Sequence, residues 1–495
     1  MRPAIPLALG ALILVPVAGQ AQDYLVRLDS RVQAAAYRGI QKDSIPVGQV
    51  VTNPDGGLET PDGYAVTCNP GQSVCDFFRA GPIRRGGPFV TSADVTAWGF
   101  GLRGVSLHAN ARVGVDLDNA DVWPGTDPAV QLLEGYAQYA SERLTGRLGR
   151  QIERGRLGYS GYDGGRLQYR FSKLGLAAIG YGGLGLARAT ALPVTSGALN
   201  PLDDFQPVKR QWLAGAALEW QSGLGDGRLE YQREVDRDPR NLVSERLALS
   251  GTLRPVRGWS LTGGADYDLA RGFWGSADLT LRHTETRLGG SAGVRRYRPY
   301  FDLWTLWGVF SPVPYTAVNG SLWLSPLRGV TLRGGAERYH YAPAEAETPL
   351  LTEETRGWRW NAGVTYSPRS TVSLDAGYQV EYGPGASSQG IDGSVSLRPA
   401  ARLTLTADAG HLVRPLEFRV EDPALTWYGL SVDLRATERL RLGLGATRYD
   451  ENRRRPDASA LDWSQTRVRA GLSWLFGSNV DRLPLPPAVR REGRR

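Results

Sequence analysis

The residue types that most often carry catalysis or metal binding are few in this chain and are not grouped. No His-Glu-x-x-His pair occurs, and no Cys-x-x-Cys-His sequence that would attach a haem is present. The histidines lie far apart along the chain, at positions His108, His283, His340 and His411. The sequence therefore predicts a protein that is not an enzyme and that binds no cofactor or metal.

The two cysteines, Cys68 and Cys75, lie close together in the stretch CNPGQSVC. A zinc site would need two further ligands, and the scattered histidines do not supply them. In an oxidising compartment, a close pair of cysteines in a Gly/Pro-rich loop is typical of a disulfide. We therefore predict a disulfide between Cys68 and Cys75.

The other reactive groups are charges, and they are mixed in sign. The formal net charge is +8, but the arginines are interleaved with Asp and Glu and do not form runs. Proteins that bind nucleic acid usually carry a basic patch or stripe, so the sequence argues against a nucleic-acid partner. Part of the positive excess also lies at the two ends of the chain, at Arg2 and in the arginine-rich segment after Phe476.

The elements that must position these charges are strands with two different faces. In residues 105–117, Val, Leu and Ala alternate with Ser, His, Asn, Arg and Asp. Residues 401–409, 440–447 and 463–476 repeat this period of two. Because a β-strand directs successive side chains to opposite faces, the pattern predicts strands with one apolar and one charged face.

About 22 such segments can be counted between residues 24 and 476. The connections between them alternate between short ones and long ones such as 188–208 and 300–314. A soluble sandwich has no reason to place its long connections at one end, whereas outer-membrane barrels have short periplasmic turns and longer outer loops. The sequence therefore predicts an all-β fold, a transmembrane antiparallel β-barrel of about 22 strands (range about 18–24), with short periplasmic turns and long extracellular loops.

The two ends of the chain differ in composition from the strands. A basic residue, an apolar run over residues 4–17 and a small-residue cleavage pattern ending at Ala21 predict a secretory signal peptide. No later stretch approaches the roughly 18 consecutive apolar residues of a transmembrane helix. The last segment is rich in Pro and Arg and is predicted to be a flexible periplasmic tail. The predicted organisation is a signal peptide at 1–21, a transmembrane barrel at 22–476 with a first extracellular loop at 39–91, and a tail at 477–495.

The last predicted strand ends in a polar residue, a glycine and two aromatic residues, at Arg469, Gly471, Trp474 and Phe476. This pattern resembles the C-terminal signal by which bacterial outer-membrane β-barrels are recognised for assembly. The resemblance implies a porin-like protein in the outer membrane of a Gram-negative bacterium. It also implies outer-membrane lipid and the barrel assembly machinery as partners.

The Gly-rich segment 145–171 lacks the Gly-Lys-Ser/Thr ending of a phosphate loop, and we expect its glycines to serve tight turns in a hairpin. It resembles a hairpin of several porin-like outer-membrane families, in which R-x-G-R-Q is followed by a Gly/Tyr-Asp-Gly turn. The resemblance implies that Arg147, Arg150, Gln151 and Arg154 face the lumen or its mouth. TonB-dependent transporters have a similar strand count, but the sequence leaves no room for their large N-terminal plug.

Aromatic residues form two groups in the predicted barrel. The segment 297–315 is unusually rich in Trp and Phe, and it is either an extension of two strands beyond the bilayer or a lid or docking surface. A second group lies near strand ends, as expected of rings at the membrane interface. These girdle residues are Trp220, Trp259, Trp323, Trp358, Trp360, Tyr366 and Trp474.

A large barrel lined by charges of both signs predicts a channel for passive diffusion of small hydrophilic solutes, and the surplus of Arg favours anions. The alternative is a barrel that serves as a scaffold or sheath for a partner, such as a multihaem cytochrome in a transmembrane conduit. A homo-oligomer, or a periplasmic or extracellular protein partner, is compatible with either function. The predicted pore-lining residues are Arg27, Arg112, Asp116, Asp266, Asp278, Arg282, Arg333, Glu337, Asp375, Arg402, Asp408, Arg441, Arg467 and Arg469.

Overall fold

In the computed structural model, the described part of the chain consists mainly of β-strands. The structure describes residues 23–54, 56–118, 130–186, 211–236, 242–298, 314–342, 355–383, 388–413, 423–453 and 463–478. Each predicted strand segment corresponds to one of the 22 strands of a barrel, which confirms the predicted fold class. The barrel strands are β1 (Asp23–Pro46), β2 (Pro88–Trp98), β3 (Val105–Asp116), β4 (Val130–Ala140), β5 (Leu144–Gly155), β6 (Gly158–Phe171), β7 (Leu176–Gly185), β8 (Trp212–Ser222), β9 (Gly225–Val235), β10 (Leu242–Leu253), β11 (Trp259–Asp268), β12 (Phe273–Thr284), β13 (Leu288–Tyr297), β14 (Tyr315–Leu327), β15 (Val330–Tyr341), β16 (Arg356–Arg369), β17 (Val372–Tyr382), β18 (Ser388–Ala400), β19 (Leu403–Val413), β20 (Pro423–Arg435), β21 (Leu440–Arg453) and β22 (Trp463–Gly477).

The barrel closes by pairing its first strand with its last. Every strand pairs antiparallel with the next one along the chain, and β22 pairs with β1 from Leu25↔Gly477 to Ala36↔Thr466. Closure removes the free sheet edges that would otherwise leave backbone N–H and C=O groups unpaired in lipid. Among the described residues, no helix is long and apolar enough to cross a membrane.

The outer surface of the barrel is apolar. Large side chains on this face are widely exposed, with relative exposures of 70% for Leu148, 55% for Leu167 and 58% for Leu249. Their neighbours along each strand point into the lumen and are mostly polar or glycine. An exposed leucine surface around a polar interior is unfavourable in water but matches the hydrocarbon of a bilayer.

The connections differ in length between the two ends of the barrel. One end carries tight turns such as 223–224, 328–329 and 370–371, together with the start of β1 and the end of β22. The other end carries the long connections, including 186–211 and 298–314. These are named the short-turn end and the long-loop end. Short and long connections therefore lie at opposite ends of the barrel, as predicted from the sequence.

The first connection differs from the predicted loop at 39–91. Strand β1 continues to Pro46, and the segment Val74–Gly86 pairs with it from Ala35↔Gly86 to Pro46↔Val74. The hairpin therefore extends β1 above the barrel, because pairing satisfies backbone groups that a bare strand extension would leave open. The Cys68–Cys75 disulfide lies in this extension, which also brings the start of β2 forward to Pro88.

The hairpin of β5 and β6 bends inward at a row of glycines. Gly149, Gly164 and Gly183 are register partners on β5, β6 and β7. A Cβ atom on Gly164 would lie 2.0 Å from the carbonyl oxygen of Gly182, and one on Gly183 would lie 2.3 Å from that of Asp163. The concave side of this bend therefore has no room for side chains. These glycines permit a bend in the sheet, whereas the sequence had suggested tight turns.

Candidate functional site: the barrel lumen

The end of the β5–β6 hairpin, residues 151–162, lies inside the barrel and is named the inner hairpin end. Its Glu153 is 8% exposed, and its Ser160 is 3% exposed. Both side chains meet lumen-facing residues of β9, since Ser160 Oγ lies 2.8 Å from Gln232 Nε2 and Glu153 accepts a hydrogen bond from Arg228. The hairpin therefore packs against the inner wall and does not continue upward as the other strands do.

Arg228 of β9 is the main charged anchor of the inner hairpin end. Its guanidinium donates to Glu153 at 2.7 Å, to Glu219 at 2.7 Å and to Glu230 at 2.8 Å. Glu230 in turn accepts a hydrogen bond from the backbone N–H of Leu157 at 2.9 Å, at the tip of the hairpin. One guanidinium thus joins three carboxylates from three strands, a charge-assisted network in which each bond is stronger than a neutral one.

Arg156, at the hairpin tip, connects the hairpin to β11 and β12. Its guanidinium lies 2.6 Å from Asp278 and 3.7 Å from Asp266. It also donates to the carbonyl oxygen of Ser276 at 3.2 Å. The tip therefore spans the lumen-facing side of several strands, and its position depends on contacts between residues that are distant in sequence.

A small apolar cluster lies beneath the inner hairpin end. Tyr162 is fully buried, and its ring stacks on that of Tyr181 with a centroid distance of 5.7 Å. Ile179, Leu213 and Ala217 complete the cluster, and all three are buried. Apolar side chains on the lumen face of β7 and β8 are buried here only because the hairpin covers them, so the cluster stabilises the bent conformation.

The opposite part of the lumen contains an open, arginine-rich cavity. It runs along the lumen face of β19–β22 and β1–β3, from the turns before β19 and β21 at the short-turn end to the start of β2 at the long-loop end, and its volume is about 780 Å³. Among the described residues, no arginine of this cavity forms an ion pair with a carboxylate; Arg112 instead donates to Gln131 at 2.7 Å. The charged lining residues are Arg31, Arg112, Arg402, Arg435, Arg441, Asp29 and Asp433.

Charges on β13–β17 are largely neutralised by their neighbours. Arg333 and Asp375 form a two-bond ion pair with both distances at 2.7 Å. Glu337 accepts from Arg295 at 2.7 Å and from Arg359 at 3.2 Å. This stretch of wall therefore presents paired charges, in contrast to the arginine-rich cavity.

The predicted pore-lining residues occupy three kinds of position. Most lie on the polar faces of their strands, but Asp116 instead accepts hydrogen bonds from the backbone N–H groups of Gly87 and Asp118 near the long-loop end. Arg402 lies in the turn between β18 and β19 rather than within a strand. Arg112, Arg402 and Arg441 meet in the arginine-rich cavity; Asp266 and Asp278 meet at Arg156; Glu337 and the pair Arg333–Asp375 lie on β15–β17; Arg27 pairs with Asp29; Arg282, Asp408, Arg467 and Arg469 lie on β12, β19 and β22.

The four residues singled out in β5 do not share one face. Gln151 and Arg147 lie on one face of β5, where Arg147 donates to Gln138 at 2.7 Å and Gln151 is 2% exposed. Arg150 and Arg154 lie on the other side because strand alternation separates odd from even positions. Arg150 forms a two-bond ion pair with Asp163. The residues that sequence reasoning missed are Arg156 and Arg228, whose partners lie on distant strands.

The aromatic predictions divide in a similar way. Trp358 and Trp360 are exposed on the outer face, as expected of a girdle. Trp323 instead shares the lumen-facing side of β14 with Ser321, and its ring lies over Gly289. In the segment 297–315, Tyr297 and Tyr315 pair across β13 and β14, and residues 299–313 lie outside the described residues.

The assembly-signal residues divide between the two faces of β22. Trp474 and Phe476 share the outer face, and their rings lie 4.6 Å apart. Arg469 and Gly471 lie on the lumen side. The predicted signal peptide and all but the first two residues of the predicted tail lie outside the described residues.

One stretch has the letters of a catalytic motif. Residues 289–293 read GGSAG, which matches the Gly-x-Ser-x-Gly pattern of a nucleophile elbow. The serine, Ser291, lies within β13 and its hydroxyl is 2.7 Å from that of Ser321. An elbow requires a sharp turn from strand to helix, so this serine is not positioned as a nucleophile. Among the described residues, no group of His, Cys, Asp and Glu could hold a metal ion.

The chain matches no protein-family model and no curated protein sequence. Among solved structures, it is similar to the ferric enterobactin receptor of Pseudomonas aeruginosa. An arginine-to-alanine variant of that receptor, in complex with enterobactin, aligns over 90% of this chain and 81% of the receptor chain, with 11% identity and a TM-score of 0.52. A BenF-like porin from Pseudomonas fluorescens Pf-5 aligns over 92% of this chain and all of the porin chain, with 10% identity and a TM-score of 0.40. The similarity to the receptor establishes the fold, that of an outer-membrane β-barrel, and no more than the fold.

Proposed function

We propose that this bacterial outer-membrane β-barrel is a channel through which small hydrophilic solutes diffuse, with a preference for anions. The observation that carries the proposal is the arginine-rich cavity of about 780 Å³. Five arginines and two aspartates line it, and the arginines have no carboxylate partner among the described residues. Positive side chains that line a pore favour the passage of anions.

The inner hairpin end determines which side of the lumen stays open. It covers the lumen faces of β7–β9 and reaches β11 and β12 through Arg156. Solutes are therefore expected to pass the arginine-rich side. The alternative, a sheath around a multihaem cytochrome, needs a wide empty bore, and a hairpin anchored inside the wall argues against it.

The ends of the chain are assigned within the same proposal. Residues 1–21 are a signal peptide that is removed on export. Residues 477–495 form a periplasmic extension, because β22 ends with Gly477 at the short-turn end. With its ends on the periplasmic side, the barrel presents its long connections to the outside.

The experiment is a single-channel recording of the refolded mature chain, residues 22–495, in a planar bilayer. We expect ohmic conductance steps and, in a KCl gradient, a reversal potential displaced toward that of chloride. A barrel that stays closed would overturn the diffusion channel. A reversal potential displaced toward that of potassium would leave the channel intact and refute the anion preference.

A further inference from the structure

A second basic surface lies outside the lumen, on the membrane-facing wall at the long-loop end. Arg296, His340 and Arg356 share one cross-strand row, in which Thr316 is the fourth member. Arg338 lies two residues from His340 on the same face and pairs in register with Trp358. These four residues, Arg296, Arg338, His340 and Arg356, are named the outer basic patch, and all four are exposed. At about 4.8 Å between strands, the row spans about 15 Å.

The patch is distinctive because its arginines have no acidic partner among the described residues. On the outward faces of β13–β17 the described residues include no Asp or Glu, since Glu337 and Glu381 point into the lumen. Two outward-facing arginines on other described strands near the long-loop end do have such a partner. Arg448 lies 2.9 Å from Asp450, and Arg233 lies 3.7 Å from Glu245. The three arginines of the patch therefore place positive charge, without an acidic partner among the described residues, on one sector of the lipid-facing wall.

An apolar wall continues from the patch toward the short-turn end. Val294 and Val318 come next along β13 and β14, with exposures of 50% and 60%, and Leu322 follows at 57%. The ring of Trp358 lies 5.0 Å from the guanidinium carbon of Arg338, at the boundary between the basic and apolar regions. A tryptophan in this position is typical of the membrane interface. The surface thus presents cationic groups at head-group level and hydrocarbon-matching side chains below them.

We propose that the outer basic patch binds the phosphate groups of a phosphorylated glycolipid in the outer leaflet, with the acyl chains of the lipid along the apolar wall. Guanidinium groups match phosphate through two parallel hydrogen bonds, and Arg is preferred for this task. A soluble phosphate would use the cationic groups but not the adjoining apolar wall. The proposal is independent of whether the lumen conducts.

The test measures lipid binding to the full mature chain in detergent by native mass spectrometry. The probe is diphosphoryl lipid A, and the variant is R296Q/R338Q/R356Q. Each arginine beside an anionic lipid contributes roughly fivefold to binding, so the triple variant should bind about a hundredfold more weakly. The matched control is R233Q/R448Q, which removes outward-facing arginines that are already paired and should bind lipid A as the wild type does.

Three outcomes would overturn the proposal. Equal binding of lipid A by the triple variant and the wild type would exclude the outer basic patch as the lipid-binding site. Equal binding of dephosphorylated lipid A would leave hydrophobic contact as the only interaction. Full competition by sodium phosphate at the concentration of lipid A would assign the arginines to a soluble anion. If the triple variant fails to fold, as judged by its circular dichroism, the single variants R338Q and R356Q are each expected to weaken binding roughly fivefold.

Discussion

The two sides of the lumen use their charges differently. On the hairpin side, Arg228 is shared among three carboxylates and covered by the bent hairpin, and Arg156 at the hairpin tip is shared between two carboxylates. On the arginine-rich side, Arg441 and Arg112 face a cavity and have no carboxylate partner among the described residues. Charge on the first side holds structure in place, whereas charge on the second side remains available to solutes.

The difference follows from burial. Glu230 is 3% exposed and Glu153 is 8% exposed, so each carboxylate would be costly without its cation. Arginines that line an open, hydrated cavity incur little of that cost and need no partner. Neutralising a charge should therefore disturb the conformation of the hairpin side, but should change only the selectivity of the arginine-rich side.

The largest effect is expected from Arg228→Met. The substitution leaves buried carboxylates without their cation and should destabilise the docked hairpin by about 3–5 kcal/mol. Released from the wall, the hairpin should make the conductance larger and noisier. Single-channel recording measures this change, and Arg333→Met is the control because its ion pair with Asp375 lies away from the hairpin.

A second readout does not depend on conduction. Leu157 is 6% exposed at the hairpin tip, so a cysteine introduced there by Leu157→Cys should react slowly with a water-soluble maleimide. Adding Arg228→Met should make this reaction fast. Equal rates in both backgrounds, together with unchanged conductance, would contradict the anchoring role of Arg228.

A smaller effect is expected from Gly164→Ala, which tests the bend itself. Its Cβ would lie 2.0 Å from a backbone oxygen, so the sheet must shift, at a cost of about 1–3 kcal/mol. Urea denaturation should show a free energy of unfolding that is lower by this amount. Gly180→Ala is the matched control on β7, because a Cβ there meets nothing within 4 Å. If the two variants unfolded alike, the bend would not depend on Gly164.

On the arginine-rich side, Arg441→Gln should leave stability unchanged and lower the permeability of chloride relative to potassium. A unit charge acts on an ion about 8 Å away in water by about 0.5 kcal/mol, a factor of about two. The double variant Arg112→Gln/Arg441→Gln should therefore change the ratio about fourfold. Reversal potentials measure this, and Asp433→Asn should shift them in the opposite direction. If the reversal potentials of the single and the double arginine variants were unchanged, the cavity would not be part of the conduction path.

The smallest effect is expected for the ion pair of Arg333 and Asp375, which belongs neither to the buried hairpin side nor to the arginine-rich cavity. Arg333 and Asp375 form a well-aligned ion pair, but their side chains are 43% and 30% exposed. Solvent screening should reduce their coupling to about 0.2–1 kcal/mol, measured by a double-mutant cycle in urea. A coupling as large as that of Arg228 would show that the lumen wall is less hydrated than its exposure indicates.

The local sequence pattern is sufficient to predict the wall of the barrel. Period-two alternation is local, so residues 105–117 or 463–476 identify a strand and its two faces without reference to any other segment. The strand count, the two faces and the uneven connection lengths could all be predicted in this way. The pairing of Arg333 with Asp375 could not, although both residues were identified as lumen-facing.

The partners of the charged residues in the lumen, in contrast, depend on the folded barrel. Arg156 lies in a two-residue turn with no periodicity, yet it reaches Asp278 across the curvature of the closed sheet. The bend at Gly164 depends on the close approach of Gly182 and Gly183, which no spacing along the chain reveals. Contacts across a lumen are set by closure, register and bending together, and these are properties of the whole barrel.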